Sequence, residues 1–429
     1  MREVVIVSGS RTAIGAFGGA LKHVPVVQLG ASVIRDVLKK AGLRPAKGAR
    51  SIKASPEKLR NRGLIEIERK YAAWEETLAP VVVDEVIMGN VLQAGQGQNP
   101  ARQAMIYAGV PKETPAFTVN MVCASGLKAV ALGAASIMCG QADVVVAGGQ
   151  ENMSLVPMAL LKARWGHRME VTGTGDIYDL MVFDGLFEIF YGYHMGVTAE
   201  NIAAAYGIGR REQDELGVLS HNRAKMAIRS GWFSREVVPI VLKERSGERI
   251  FDTDERPMDT DIEKMSRLQP AFKQDGTVTA GNASGINDAA AAVLLMSATK
   301  ARQMGLHPMA RIRNSAAAGV DPAYMGLGPV PAVKKALAEA RMKLTDIEAI
   351  ELNEAFASQA IACMRELHID FDRPNEIGSG ISLGHPIGCT GARQLVTLAH
   401  HMQRKDYRTG LVTMCIGGGM GMAMILERS

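Results

Sequence analysis

Cysteine is scarce in this sequence. Only five of the 429 residues carry a thiol, and no Cys-x-x-Cys pair or Cys/His cluster has the spacing of a zinc site. An odd and sparse set favours reduced thiols, a cytoplasmic location and no bound metal. No apolar run approaches the ~18 residues of a membrane-spanning helix, and the N-terminus lacks a signal-peptide pattern. We therefore expect a cytoplasmic protein that contacts no membrane.

Strong charge of one sign is also missing. The chain has 49 Lys and Arg against 44 Asp and Glu, a net charge of +5, and aromatic residues make up only 5%. Nucleic-acid-binding proteins usually present a basic face with interleaved aromatic residues, so we expect no nucleic-acid partner. A strict G-x-G-x-x-G after a strand and a phosphate-binding G-x-x-x-x-G-K-[ST] are both lacking, which argues against NAD and ATP.

Glycine is abundant, with 45 residues, and short β-branched runs alternate with alanine-rich helical stretches. This alternation predicts an α/β fold. Strands are predicted at 3–9, 83–91 and 143–149, and helices at 26–43 and 123–140. The same alternation returns in the last third of the chain, which favours two similar, duplicated halves of five strands each.

The predicted domains follow from this repetition. They are an N-terminal half formed by 1–152 and 286–307, a C-terminal half formed by 308–429, and an inserted lobe at 153–285. The lobe is charge-rich, contains the sequence TGTGD at 172–176, and shows an isolated helical stretch near 196–206. A surface insertion at 46–80 stands apart from both halves.

The insertion at 46–80 carries one apolar stripe. Its members are spaced by three and four residues, as on one face of an amphipathic helix: Leu64, Ile67, Tyr71, Trp74 and Leu78. Because soluble proteins seldom leave such a stripe in water, we predict that it is buried, within the chain or between subunits.

Cys123 is the first candidate for chemistry. It lies in VNMVCASGLKAV, where a strand passes into a helix and small residues surround the thiol. Unpaired N–H groups at a helix N-terminus can lower a thiol pKa, so we expect a reactive nucleophile with a lowered pKa. The alternative is an inert, buried cysteine, since free cysteine often acts as a small apolar residue.

Three further residues lie where strands end. His385, in LGHPIGCTGAR, can act as a general base toward a thiol, or it is simply a turn residue. Cys415 precedes the run Gly417 to Gly419, whose N–H groups can stabilise an oxyanion. Asn353 either orients a polar group or caps the following helix. Ligand sites of α/β sheets form at such strand ends, so we predict that these residues meet Cys123 in one site.

Seven sequence blocks together resemble the thiolase family. They occur in the family order: GNVLQAGQGQNPARQA, NMVCASGLKAV, DGLFEIFYGYHMGVTAEN, TAGNASGIND, NEAFA, GHPIGCTGAR and CIGGGMGMA. The resemblance extends from Met1 to Glu427 and is interrupted mainly by 46–80. It implies a duplicated five-layer α/β/α/β/α fold with an inserted loop domain at 153–285 that binds coenzyme A.

The resemblance also implies the activity and the roles. It implies acetyl-CoA C-acetyltransferase activity, the reversible Claisen condensation of two acetyl-CoA to acetoacetyl-CoA and coenzyme A. Cys123 would be acylated, His385 would activate it, and Cys415 would handle the α-proton. Asn353 would hold a water that forms one oxyanion hole with His385, and the N–H groups of Cys123 and Gly417 would form the other.

For substrate binding, the resemblance implies six contact residues. Leu186, His194, Met195 and Ser284 would line the pantetheine and acyl end, Arg256 would contact the adenine, and Met325 would limit the acyl group to short chains. The substrates would be coenzyme A thioesters, with no cofactor or metal, in a homodimer or homotetramer. Ser379, Ser382 and Cys389 depart from the family's usual residues and leave the acyl-chain preference open.

Two other functions stay open at this point. One is a 3-ketoacyl-CoA thiolase of broader chain length, and the other is a catalytically idle scaffold that binds acyl-CoA. The intact set of Cys123, His385 and Cys415 argues against the idle scaffold.

Overall fold

The computed structural model describes residues 1–60, 63–166, 176–245 and 247–428. Residues 172–175 of the TGTGD sequence lie outside the described residues. The strands are β1 (Val4–Thr12), β2 (Gly15–Ala16), β3 (Leu43–Pro45), β4 (Ala79–Val81), β5 (Glu85–Gly89), β6 (Ala116–Val119), β7 (Val144–Asn152), β8 (Met158–Ala159), β9 (Tyr178–Asp179), β10 (Phe187–Glu188), β11 (Tyr193–His194), β12 (Val237–Val238), β13 (Ile240–Glu244), β14 (Gly247–Phe251), β15 (Asn287–Ser297), β16 (Ala310–Gly319), β17 (Ala349–Leu352), β18 (Thr409–Ile416) and β19 (Met420–Glu427).

The α-helices alternate with these strands. They are α1 (Val26–Lys40), α2 (Ala49–Ala54), α3 (Glu66–Tyr71), α4 (Pro100–Tyr107), α5 (Ser125–Met138), α6 (Leu180–Gly185), α7 (Met195–Tyr206), α8 (Arg210–Arg229), α9 (Ile262–Ser266), α10 (Ala298–Gln303), α11 (Pro329–Ala340), α12 (Ala357–Leu367), α13 (Gly380–Leu383) and α14 (Thr390–Lys405). The strands predicted at 3–9, 83–91 and 143–149 and the helices predicted at 26–43 and 123–140 are confirmed.

One sheet runs through both halves of the fold. Its strand order is β17-β18-β19-β16-β1-β15-β7-β5-β6, and a short antiparallel ladder between β1 and β16 pairs Val5 with Arg311 and Ile6 with Ala310. The part formed by β1, β15, β7, β5 and β6 has the five strands expected. The part formed by β16 to β19 has four described strands, one fewer than expected.

Helices cover the sheet in layers. Helices α5 and α14 share one core with the inner faces of both parts, α1 and α4 cover the outside of the first part, and α11 and α12 cover the outside of the second. Every residue of β15 is buried, because its side chains alternate between the α5 side and the α1 side. The five-layer α/β/α/β/α architecture is confirmed.

The segment 153–285 holds short hairpins and helices. The helix predicted near 196–206 is α7, which spans Met195–Tyr206. The longer helix α8 was not predicted, although its first turns carry the i,i+4 ion pairs Arg210–Asp214 and Arg211–Glu215. The domain boundaries stated above remain predictions.

The stripe at 64–78 is only partly helical and only partly buried. Helix α3 ends at Tyr71, and Leu64 is 40% exposed. The guanidinium of Arg35 donates to the carbonyls of Tyr71 and Ala73 and lies 4.2 Å from the centre of the Trp74 ring. These contacts bend the chain after Tyr71, so tertiary packing overrides the helical pattern. The prediction of one continuous helix face was wrong, and burial of the stripe between subunits stays a prediction.

Candidate active site

Cys123 lies on a strained turn directly before α5. The preceding residue, Val122, has a φ of +45°, which is unfavourable for a β-branched side chain. The Asn120 side chain accepts the Val122 N–H at 2.9 Å, and the Ser125 hydroxyl donates to the Val122 carbonyl at 2.6 Å. The turn is therefore held from both sides, and it presents the thiol at the start of the helix.

The thiol of Cys123 is a neutral group in this structure. Burial raises its pKa to about 11, although the N–H groups of Gly417 and of Cys123 itself reach the sulfur and lower it. The expectation of a lowered pKa was wrong, because a helix N-terminus offsets only part of the cost of burying a thiolate. The same two N–H groups are positioned to receive an oxyanion formed beside this sulfur.

His385 is neutral and fixed in orientation. Burial lowers its pKa to about 3, and the positive charge of Arg393 adds to the effect. Its Nδ1 lies 2.7 Å from the Thr390 hydroxyl, and that hydroxyl also lies 2.9 Å from the Pro386 carbonyl, which can only accept its proton. The Thr390 oxygen thus accepts Nδ1–H, and Nε2 carries the lone pair that can accept a proton.

Cys415 is the second thiol of the site. It lies at the end of β18 and is completely buried, and burial together with nearby Cys123 raises its pKa well above the ordinary value. The chain then turns through Gly418 and Gly419, whose φ angles are +80° and +79°. A side chain at Gly419 would meet the Val320 carbonyl at 2.3 Å, so this tight turn, which aims Gly417 at Cys123, needs glycine.

Asn353 lies behind His385 and does not cap a helix. Its Nδ2 is 3.5 Å from His385 Nε2, and its Oδ1 has no hydrogen-bond partner among the described residues. The following helix, α12, has Phe356 as its N-terminal cap residue, so the capping alternative does not hold. A buried amide beside the imidazole can orient a carbonyl or a water.

A cavity of about 490 Å³ brings the predicted residues together. From the predicted set, every residue except Asn353 lines it: Cys123, His385, Cys415, Gly417, Leu186, His194, Met195, Arg256, Ser284 and Met325. The expectation that separate strand ends meet in one site therefore agrees with the geometry.

Arg256 forms part of the cavity wall. Its Nε donates to the Ile381 carbonyl at 2.7 Å, and its Nη2 donates to the Ala283 carbonyl at 2.9 Å. Burial lowers the pKa of this guanidinium to about 10. Arg256 thus ties helix α13 to the segment at Ala283, and the adenine contact remains a prediction.

Sequence reasoning missed several residues of the site. Phe272 stacks on His194 with ring centres 4.6 Å apart, and Asn287 accepts the backbone N–H of His385 at 3.0 Å. Asn287 belongs to the TAGNASGIND block and Thr390 to the GHPIGCTGAR block. The blocks therefore contained both residues, but they did not show that each one forms a hydrogen bond with His385. Among the described residues there is no group of three or more potential metal ligands, and none of the helices there is long and apolar enough to cross a membrane.

The chain is similar to known proteins along nearly its whole length. The family model described as thiolase, N-terminal domain, matches residues 4–55 and 48–299, and that of the thiolase, C-terminal domain, matches 306–428. The chain is 50% identical to an acetyl-CoA acetyltransferase of Syntrophomonas wolfei over 428 residues, covering 99% of each chain. It is also 50% identical to one of Pseudomonas aeruginosa over 430 residues, with both chains fully covered. The crystal structure of the Bacillus anthracis acetyl-CoA acetyltransferase superimposes with a TM-score of 0.88 at 42% identity, covering 100% of this chain and 99% of that one.

Proposed function

The chain belongs to the thiolase family, and on that basis we propose that it is an acetyl-CoA acetyltransferase. It condenses two acetyl-CoA to acetoacetyl-CoA and coenzyme A, and it also catalyses the reverse thiolysis. The observation that carries this proposal is one cavity that holds two thiols, an imidazole and two N–H groups directed at the first sulfur. Acyl transfer followed by carbon–carbon bond formation needs a nucleophile, two bases and an oxyanion site.

In the first half of the reaction, Cys123 attacks the thioester carbonyl of acetyl-CoA. Its proton moves to Nε2 of His385, which is held as an acceptor by Thr390. The carbonyl oxygen becomes an oxyanion against the N–H groups of Cys123 and Gly417. Coenzyme A leaves as a thiolate and takes the proton held by His385, so the products of this half are free coenzyme A, acetyl-Cys123 and neutral His385.

In the second half, Cys415 passes its proton to Nε2 of His385, and the resulting thiolate removes the α-proton of a second acetyl-CoA. A thiol whose pKa is raised by burial forms a strong base once it is ionised. The enolate oxygen lies toward protonated His385 and Asn353. The enolate carbon attacks the acetyl group, Cys123 leaves as a thiolate, and it recovers its proton from His385. Acetoacetyl-CoA is released and both thiols are restored.

The same proposal covers the substrate contacts. Leu186, His194, Met195 and Ser284 contact the pantetheine and acyl end, and Met325, only 3% exposed, limits the length of the acyl group. Every step is an acyl or proton transfer without change of oxidation state, so we include no cofactor beyond coenzyme A itself. We also propose a cytoplasmic homodimer or homotetramer, which light scattering after size exclusion tests.

Cys415→Ala tests the division of labour between the two thiols. Mixed with acetyl-CoA, this variant is expected to gain one acetyl group on Cys123 by intact mass, because the nucleophile, its base and the oxyanion site remain. It is expected to lose acetoacetyl-CoA formation. Cys123→Ala is the matched control and loses both steps. Condensation at a near-normal rate in Cys415→Ala would refute the assigned role.

Acyl-chain kinetics separate this function from a thiolase of broader chain length. Thiolysis of acetoacetyl-CoA is expected to exceed that of longer 3-ketoacyl-CoA in kcat/KM. A catalytically idle scaffold would show no acetyl transfer to Cys123 at all.

A further inference from the structure

Glu151 is a buried acid that the proposed reaction does not use. It lies near the end of β7 and is completely buried. Its Oε2 accepts the N–H groups of Val91 and Gly388 at 3.0 and 2.9 Å, and its Oε1 accepts the Asn90 amide at 2.6 Å and the Leu92 N–H at 3.2 Å. Within the described ranges, no lysine or arginine forms an ion pair with this carboxylate. Four neutral donors therefore stabilise the ionised form of this carboxyl, whose pKa burial nevertheless raises to about 7.

These donors come from two segments that meet at the active site. Gly388 lies three residues after His385, and a side chain there would meet Glu151 Oε2 at 2.6 Å. Val91 and Leu92 follow β5, whose last residue, Gly89, packs so closely on the start of α5 that an added Cβ would lie 2.5 Å from the Gly126 nitrogen. The Glu151 carboxylate thus connects the segment that carries His385 to the segment that follows β5 and packs near Cys123.

The charge of Glu151 works against the nucleophile. Burial is the main cause of the raised pKa of Cys123, and the negative charge of Glu151 raises it further. Cys415 is another titratable neighbour of Cys123, His385 lines the same cavity, and the negative charge of Glu151 also raises the pKa of Cys389. An uncharged residue would leave the thiol more reactive, so electrostatic activation does not explain a carboxylate here. The four hydrogen bonds that the carboxylate accepts explain its presence instead.

We propose that Glu151 is a positioning residue that keeps Cys123 and His385 aligned for acyl transfer. This inference rests on the proposed function, because the alignment concerns acetyl transfer to Cys123. The glutamate oxygens can accept all four donors, whereas a glutamine would turn its NH₂ group toward two of them and break half of the set.

Glu151→Gln separates position from charge. We expect acetylation of Cys123 by acetyl-CoA to slow about 10- to 100-fold, since small misplacements of reacting groups cost this much. We expect the opposite for iodoacetamide alkylation of Cys123. Alkylation becomes faster because the midpoint of its pH–rate profile moves to lower pH. A shift of half a pH unit raises the alkylation rate near pH 8 about threefold. A purely structural role would not move this midpoint.

Two further variants complete the test. Glu151→Asp keeps the charge but shortens the side chain, so it should slow acetylation and leave the alkylation midpoint unchanged, and it replaces Glu151→Gln if that variant does not fold. Glu68→Gln removes another buried carboxylate that accepts backbone N–H groups, far from the cavity, and should change neither measurement. Acetylation at the wild-type rate in Glu151→Gln, or an unmoved alkylation midpoint, would overturn the proposal. A wild-type protein that takes no acetyl group would instead refute the proposed function. The alkylation measurement would then still test whether Glu151 acts on Cys123.

Discussion

Replacing Thr390 by valine should disable His385 without touching the substrate cavity. Thr390 is completely buried, and its hydroxyl oxygen accepts the Nδ1–H of His385 at 2.7 Å. Valine has nearly the same shape but no acceptor, so Nδ1–H would be buried without a partner at a cost of about 1–3 kcal/mol. The Pro386 carbonyl, which loses the hydroxyl donor in this variant, still accepts the backbone N–H groups of Cys389 and Thr390, both at 2.9 Å. The main loss therefore falls on the imidazole.

That cost translates directly into rate. The imidazole with its proton on Nε2 becomes favoured, and it cannot take a proton from Cys123. At about 1.4 kcal/mol per tenfold change, we expect kcat for acetoacetyl-CoA thiolysis to fall roughly 10- to 100-fold with KM little changed. Thr390→Ser should recover most of the rate because it restores the hydroxyl.

Thr397→Val is the matched control for this prediction. It removes another buried hydroxyl from the same helix, one that donates to Glu236 at 3.1 Å. It should lower stability by about 1–3 kcal/mol, and it should leave kcat within about twofold because Thr397 does not line the cavity. The reasoning would be refuted if Thr390→Val kept the wild-type kcat, or if Thr390→Ser were as slow as Thr390→Val.

Two other predictions concern the thiols and the insertion at 46–80. Because burial raises the pKa of Cys123 to about 11, its alkylation by iodoacetamide should accelerate about tenfold per pH unit between pH 7 and 10. At pH 7 the exposed Cys139 should react first. Peptide mapping that finds fast, pH-independent labelling of Cys123 would contradict this prediction. Trp74→Ala should lower the free energy of unfolding in urea by about 1–3 kcal/mol, since it loses the Arg35 contact and the bond to the Gly109 carbonyl, while acetyl transfer stays unchanged. Leu64→Ala, at a 40% exposed position, is the control and should cost less than about 0.5 kcal/mol, so equal losses in the two variants would argue against the packing described.

Local sequence patterns were sufficient for the elements that carry the site. Strands β1 and β7 begin with the apolar runs VVIV and VVVA, and such a run is enough to recognise the start of a strand that is buried on both faces. The turns at Cys123 and at Gly417 to Gly419 were visible as small residues between a strand and the next element. The motif blocks contain all of the predicted cavity-lining residues except Arg256 and Met325, because each motif and its local backbone are contiguous in sequence.

The stripe at 64–78 shows where local patterns fail. Its spacing favours a helix through Leu78, yet α3 stops at Tyr71. Arg35 lies far away in sequence, and its hydrogen bonds to the Tyr71 and Ala73 carbonyls hold the chain in another path. A helix this short gains little from its own hydrogen bonds, so a few tertiary contacts are enough to end it.

The protonation states were likewise decided only by the tertiary structure. From the sequence, a helix N-terminus suggested a thiolate at Cys123, but the degree of burial and the position of Glu151 depend on segments more than twenty residues away. The same holds for His385, whose proton is placed by Thr390 and whose charge is suppressed by burial. Sequence therefore determined which side chains are present and which strands and turns carry them. Packing determined their charges, because the free energy of an ionised group depends on every dipole and charge around it, wherever these lie in the chain.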